Sequence, residues 1–226
     1  MTDGFVCQYC NKSFQKERTL VRHICEQKRR WLNKNEKYVL IGFEAFRQFY
    51  KIAMGDSKPK DYETFSKSQY YLSFTKFGKY MEHLDAVEPE KFIEFVIKMS
   101  VPLDKWTSDA VYNQYLLELY KRETATRALE RGVLLMQEWS EQNDKPFNQF
   151  FNEITNSRAV HWIRSGRISP WIIFNCDTGL ALLGRFSDEE MELIKDYMNP
   201  AFWQQKFDVR KSDVEFVQGV LEQAGL

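Results

Sequence analysis

Residues 32–53 read LNKNEKYVLIGFEAFRQFYKIA, and their apolar positions decide the fold class. Leu32, Val39, Phe43, Phe46, Tyr50 and Ala53 fall at steps of seven, four, three, four and three, which places them on one face of a helix. The pattern predicts one long amphipathic helix across residues 30–53, stopped at Gly55, with the Phe43/Phe46/Tyr50 stripe buried. The same period recurs downstream in Tyr70, Phe74, Phe77, Met81 and Leu84, then in Phe92, Val96 and Met99. Val111, Tyr115 and Leu119 continue it, followed by Leu129, Val133 and Met136. Short helices are expected after Ser169-Pro170 and after Thr178. Ser187-x-x-Glu190 and Ser212-x-x-Glu215 read as capping boxes opening two more. No alternating strand and no internal repeat stands out beyond the first twenty-five residues. The expected fold class is therefore mainly α. A small N-terminal ββα unit (1–30) would be joined by the amphipathic helix (31–54) to an all-α multi-helix domain (62–226). The polar stretch 55–61, GDSKPKD, is the candidate hinge.

Composition agrees with a packed chain. Hydrophobic residues make up 43% of 226 and aromatics 15%, enough for a real core and unlike a disordered sequence. No apolar run approaches the ~20 residues needed to cross a bilayer. The opening Met-Thr-Asp-Gly lacks the basic and apolar regions of a signal peptide. Three of the four cysteines cluster and Cys176 stands alone, a usage suited to a reducing compartment. The expectation is a cytoplasmic protein with no membrane partner. Net charge is zero but uneven: residues 1–60 hold thirteen Lys+Arg against six Asp+Glu, and the rest nineteen against twenty-six. A basic head on an acidic body directs a polyanionic partner to the head, or lets head and body dock on each other.

That head carries the most specific chemistry. Phe5-x-Cys7-x2-Cys10-x3-Phe14-x5-Leu20-x2-His23 is followed by Cys25. Two thiols on a tight hairpin and an imidazole on the next helix can hold a tetrahedral Zn²⁺, with Phe14 and Leu20 as a miniature core. The fourth ligand is irregular. With three to five residues intervening after His23, the usual positions hold Gln27, Lys28 and Arg29, none of them a soft donor, so the nearest donor is Cys25, two residues on. Residues two apart point to nearly opposite sides of an α-helix. Cys25 reaches the metal only if the helix ends or tightens at His23. The expected site is Cys7, Cys10, His23 and Cys25 around Zn²⁺; the alternative is Cys25 as a buried thiol with no metal.

These residues resemble the C2H2-type zinc-finger family over about residues 5–25, with Cys25 as a variant fourth ligand. The finger, its Cys-Glu-Gln-Lys-Arg-Arg continuation and Arg167-Ile168-Ser169-Pro170-Trp171 are together similar to uncharacterised zinc-finger proteins of large tailed bacteriophages. That resemblance implies a viral setting, in the host cytoplasm or the virion, and no activity.

When fingers of this kind enter a major groove, helix positions −1, 3 and 6 face the bases. Counted from Phe14 and Leu20, these are Lys16, Thr19 and Arg22, with Arg18 beside them. Lys28, Arg29 and Arg30, followed by Trp31, could track phosphates or stack on an exposed base. The expected function is a zinc-dependent accessory protein that binds DNA or RNA through the finger and contacts another protein through its helical body. The alternatives are a virion structural or assembly protein whose finger docks on protein, or a purely structural cap. A third reading is a nucleic-acid-modifying enzyme using a candidate anion site at Arg158, His161, Arg164 and Arg167. Pairing of His161 with Cys176 as a nucleophile is weighed against Cys176 as a packed small hydrophobe. No phosphate-cradling Gly-rich loop, His-Glu-x-x-His or Gly-x-Ser-x-Gly is present, so binding is expected rather than catalysis.

Overall fold

The computed structural model describes residues 4–55 and 58–226; positions 56–57 of the expected hinge and the first three residues lie outside this set. The described chain is mainly α, with fifteen α-helices and one two-stranded antiparallel sheet. It forms two compact units. The first runs through Leu84 and resumes at Glu88–Ser108; the second comprises Asp85–Val87 and Asp109–Leu226.

The first unit opens with β1 (Phe5–Val6) and β2 (Ser13–Phe14), paired Phe5 to Phe14 and Val6 to Ser13. Helices α1 (Glu17–Arg22), α2 (Glu26–Leu32), α3 (Lys37–Ala53), α4 (Tyr62–Lys67), α5 (Tyr71–Leu84) and α6 (Pro89–Lys98) follow. The single helix expected across 30–53 is two helices. Asn33 ends α2, its N–H bonding back to the Arg29 carbonyl, and its side chain donates to the Tyr38 hydroxyl at 3.3 Å. Asn favours such local bonding over helix continuation, and the Asn33–Glu36 turn redirects the chain. Leu32, counted in the stripe, is accordingly exposed.

Helix α3 is core rather than a bare connector. Val39, Gly42, Ala45 and Phe46 are buried, and Phe46 touches the rings of Tyr50, Phe65 and Phe74. Phe43 and Tyr50 are only half-buried, so the stripe is covered at its centre and open at its flanks. Helix α3 crosses α5 at two glycines. A Cβ on Gly42 would come within 2.6 Å of the Phe74 carbonyl oxygen, and one on Gly78 within 1.9 Å of the Tyr38 carbonyl oxygen. Only glycine permits backbones that close. Trp106, fully buried, closes the same core against Phe49, Phe74 and Phe77. Tyr70 and Met99, also assigned to apolar stripes, are exposed.

The second unit contains α7 (Asp109–Arg122), α8 (Ala125–Asn143), α9 (Phe150–Glu153), α10 (Asn156–Ser165) and α11 (Pro170–Ile173). It ends with α12 (Asp177–Leu183), α13 (Asp188–Ile194), α14 (Pro200–Val209) and α15 (Lys211–Gln223). Thr124, Thr155, Ser169 and Asn199 cap α8, α10, α11 and α14 with side-chain oxygens. The capping box at Ser187 and Glu190 forms, both reciprocal bonds present. The one expected at Ser212 does not. Helix α15 starts earlier, at Lys211 behind Arg210, which leaves Ser212 inside the first turn. Likewise α12 starts at Asp177 behind Cys176, so Thr178 lies within it.

Candidate metal centre

The hairpin, the end of α1 and the start of α2 converge on four donor atoms. The Cys7 N–H donates to the Lys12 carbonyl at 2.9 Å, and the Asn11 N–H to the Cys7 carbonyl at 2.8 Å. Asn11 turns through the left-handed region (φ 57°), which Asn tolerates better than most residues. This loop brings Cys7 and Cys10 to one side. Helix α1 stops at Arg22, and His23 is extended (φ −71°, ψ 120°) with its N–H bonded to the Leu20 carbonyl. The helix thus ends where Cys25 required it to end. Cys25 is extended too and caps α2, its Sγ accepting the Lys28 N–H at 3.4 Å.

The outcome is a compact donor set. The Sγ atoms of Cys7 and Cys25 are 3.9 Å apart, and the Cys10 Sγ lies 3.3 Å from the His23 Nε2. All four donors lie within 4.8 Å of one another, so the cluster could hold a metal ion. No disulfide competes, since all four cysteines are free. The ring of Phe14 lies 4.8 Å from that of His23, and the Lys28 ammonium donates to the His23 carbonyl at 3.3 Å; both hold the imidazole segment in place. Burial pushes the Cys7 thiol up, but the backbone N–H groups of Tyr9 and Cys10 and the neighbouring thiols outweigh it and leave it lowered. At Cys10 the Lys12 N–H pulls down, while burial and the thiols of Cys25 and Cys7 push up and prevail.

The finger rests on the first unit through aromatic contacts. Tyr9 meets Trp31 at 6.5 Å, Trp31 meets Tyr62 edge-on at 5.5 Å, and Tyr62 meets Phe43 and Phe65. The Tyr62 hydroxyl donates to the Arg30 carbonyl at 2.6 Å. Trp31, read as a base-stacking candidate, is therefore half-buried in this chain of rings.

The seven basic-face residues separate into two groups. Lys16, Arg18, Thr19, Arg22 and Arg29 are exposed. Among the described residues Lys16, Arg18 and Arg22 have no ion pair, and Arg29 has only a loose one to Glu26 at 3.7 Å. Lys28 is half-buried over the centre. Arg30 is turned inward: its side chain is 14% exposed, pairs with Glu26 at 3.1 Å, donates to the carbonyls of Ser66 and Ser68, and lies 4.5 Å over Tyr71. These contacts make Arg30 part of the packing between α2 and α4, unlike the exposed Arg29.

The candidate anion site is not assembled as a basic cluster. Arg167 is held by Asp85 at 2.5 Å and Glu138 at 2.7 Å; burial pulls its pKa down, but these carboxylates prevail and raise it. Arg164 faces Asp109 at 3.8 Å, and the Arg158 guanidinium carbon lies 4.5 Å from the centre of the Trp162 ring. His161 is exposed, while Ser165 is fully buried and bonded to the Trp162 carbonyl. Cys176 is buried and donates to the Ile172 carbonyl at 3.4 Å, and burial raises its pKa, which suits a packed thiol and not a nucleophile. No described helix is long and apolar enough to cross a membrane.

Comparison with protein-family models, curated proteins and solved structures finds no match for this chain. The comparisons lend no support to the resemblance to phage zinc-finger proteins, and the functional reading rests on the geometry of the site.

Proposed function

We propose that the protein is a zinc-dependent, nucleic-acid-binding accessory protein. Zinc follows from the donor set: three thiolates and an imidazole suit Zn²⁺ and not the oxygen-seeking Mg²⁺ or Ca²⁺. Bonds of roughly 2.3 Å to sulfur in a tetrahedron give a sulfur–sulfur edge of about 3.8 Å, close to the 3.9 Å between Cys7 and Cys25.

The observation that carries the nucleic-acid reading is the contrast in how the cations are used. Arg131, Arg164 and Arg167 of the second unit all face carboxylates, whereas Arg18 and Arg22 of α1 and Lys16 at its N-cap form no ion pair among the described residues. A row of uncompensated cations is the electrostatic footprint expected of a phosphate-binding surface. The test is titration of the zinc-loaded protein with single- and double-stranded DNA and RNA across salt concentrations. Absence of any salt-sensitive binding would sink the reading.

A second reading has its own support. Val21 is 69% and Ile24 60% exposed on the finger, an apolar pair suited to docking on protein. In that reading the chain is a structural or assembly component of a virion. Stoichiometric recovery in purified particles, with no nucleic-acid binding, would favour it.

A further inference from the structure

Beside the metal centre, on the first unit, lies a cleft of about 270 Å³. The hairpin supplies Gln8 and Tyr9, α2 supplies Gln27 and Trp31, and α4 supplies Glu63 and Lys67. The cleft is smaller than the roughly 300–1,000 Å³ of sites for drug-sized ligands. It suits one planar ring system.

Its chemistry is specific. Tyr9 and Trp31 offer two aromatic faces tilted at 48°. The carboxamides of Gln8 and Gln27 have no hydrogen bond to any described residue, although Gln27 is half-buried. Each has a donor and an acceptor free for a flat partner. The Lys34 ammonium lies 5.4 Å from the Trp31 ring centre, while the charged lining itself, Lys67 paired with Glu63 at 2.5 Å, is neutral in sum. Arg29, on the same helix as Gln27 and Trp31, is exposed.

The geometry points to a binding slot for one unstacked nucleobase of a single strand. An aromatic face gives stacking, a carboxamide reads a base edge, and flanking cations hold the adjoining phosphates. A base inside a duplex could not enter. The inference rests on the nucleic-acid reading above and deepens it, naming a splayed base rather than a groove edge as the recognised feature.

The test uses the full chain loaded with zinc and fluorescent 12-mer homopolymers of DNA and RNA. Neither Gln8 nor Gln27 has a side-chain hydrogen bond among the described residues, so the double variant Gln8→Ala/Gln27→Ala should fold and bind zinc as wild type does. It is expected to lose about tenfold in affinity for single strands, the cost of one base edge, and to lose preference among the homopolymers. Its salt slope should not change, because no charge is removed. Tyr9→Ala, which removes a stacking face, should weaken single-strand binding without affecting duplex binding. If wild type binds no nucleic acid, both readings fall. If it binds and both variants bind single strands as wild type does, the slot is wrong and the basic helix stands without it. The DNA and RNA arms separate the two sources of the base.

Discussion

The finger and the α3–α5 core lie in the same unit and are held by different forces. Neither α1 nor α2 buries a single side chain, whereas α3 buries four residues and α5 six. The finger's order comes from four donor atoms and a few ring contacts. The core's order comes from aromatic packing and a glycine-mediated helix crossing. A segment with this little packing would depend on a metal filling its four donors in order to fold, beside a segment whose packing needs none.

The widest separation should follow metal removal. A structural zinc is worth an apparent ~10–16 kcal/mol in finger peptides, far more than the finger's own packing could replace. Chelation, or Cys25→Ser, is expected to abolish hydrogen-exchange protection of the β1–β2 hairpin and α1 while α5 keeps its protection. Cys176→Ser should leave zinc content unchanged. If α5 loses protection together with the finger, the two regions are one cooperative unit and the contrast is wrong.

The reverse experiment attacks the core. Phe46→Ala should cost about 3–5 kcal/mol, the range for deleting a buried aromatic, with zinc affinity near wild type. Gly78→Ala should also destabilise, by ~1–3 kcal/mol or more, because the new methyl meets the Tyr38 carbonyl backbone and no flexible side chain can yield. Denaturant unfolding followed by circular dichroism measures both. A near-neutral Phe46→Ala would mean the α3 face is not core.

Between these extremes sits Arg30, whose contacts span finger helix and core. Its side chain bonds two carbonyls of the α4 region, and charge-assisted bonds are worth ~1.5–3 kcal/mol each before compensation. Arg30→Ala should therefore lower thermal stability, where Arg29→Ala does not. Equal stability of the two variants would return Arg30 to the surface set.

What the sequence made legible follows from range. The ligands of the centre are close in sequence and tied to spacing, so Cys7, Cys10 and His23 could be read directly. The requirement that α1 end at His23 followed from Cys25 being two residues on. Phe46, Phe74, Phe77 and Met81 were legible from helical period alone. The break at Asn33–Glu36 was hidden because the apolar spacing of seven between Leu32 and Val39 fits a continuous helix equally well. The signal was there in Asn33 and Asn35, residues that compete with helix bonding. The fate of the arginines was not legible at all. Arg167 meets Asp85 from 82 positions away and Arg30 meets the Ser66 carbonyl from 36, distances at which no spacing rule operates. The glycine crossing was missed for the same reason, as Gly42 and Gly78 look like weak helix positions until the helices are brought together.

Lys206 offers a sharper contrast between the paired cations of the second unit and the finger's free ones. Burial pulls its pKa down to about 8, against the opposing pull of the Glu123 carboxylate. Its ammonium lies over the rings of Trp171 and Trp203 and bonds the carbonyls of Tyr120 and Glu123. A depressed folded-state pKa means that the unfolded chain binds the extra proton between about 8 and 10.5, the ordinary lysine value. Stability from this group is therefore present above that window and lost as pH falls through it. Buried Tyr120, its pKa raised chiefly by desolvation, opposes the gain once pH passes the ordinary tyrosine value near 10. Cys176, its thiol pKa raised by burial above the ordinary 9.0, opposes the gain at the top of that window, so wild type should gain stability only modestly, from about pH 7.5 to about 8.5. Lys206→Met should show a flatter profile, and identical pH slopes would refute the shift.

The smallest effect in energy is the most direct on function. Arg18 and Arg22 are exposed and unpaired among the described residues, so Arg18→Ala/Arg22→Ala should leave zinc content and unfolding midpoint near wild type. If the finger helix lies on phosphates, each lost contact should reduce the log–log salt slope by roughly 0.7 for a single strand or 0.9 for a duplex. Arg164→Ala/Arg167→Ala is the matched control: it removes two cations already facing carboxylates, so it should shift stability and leave the salt slope alone. Should the control pair flatten the slope and the finger pair not, the phosphate surface would lie on the second unit, and Lys16, Arg18 and Arg22 would be left as an ordinary solvated face.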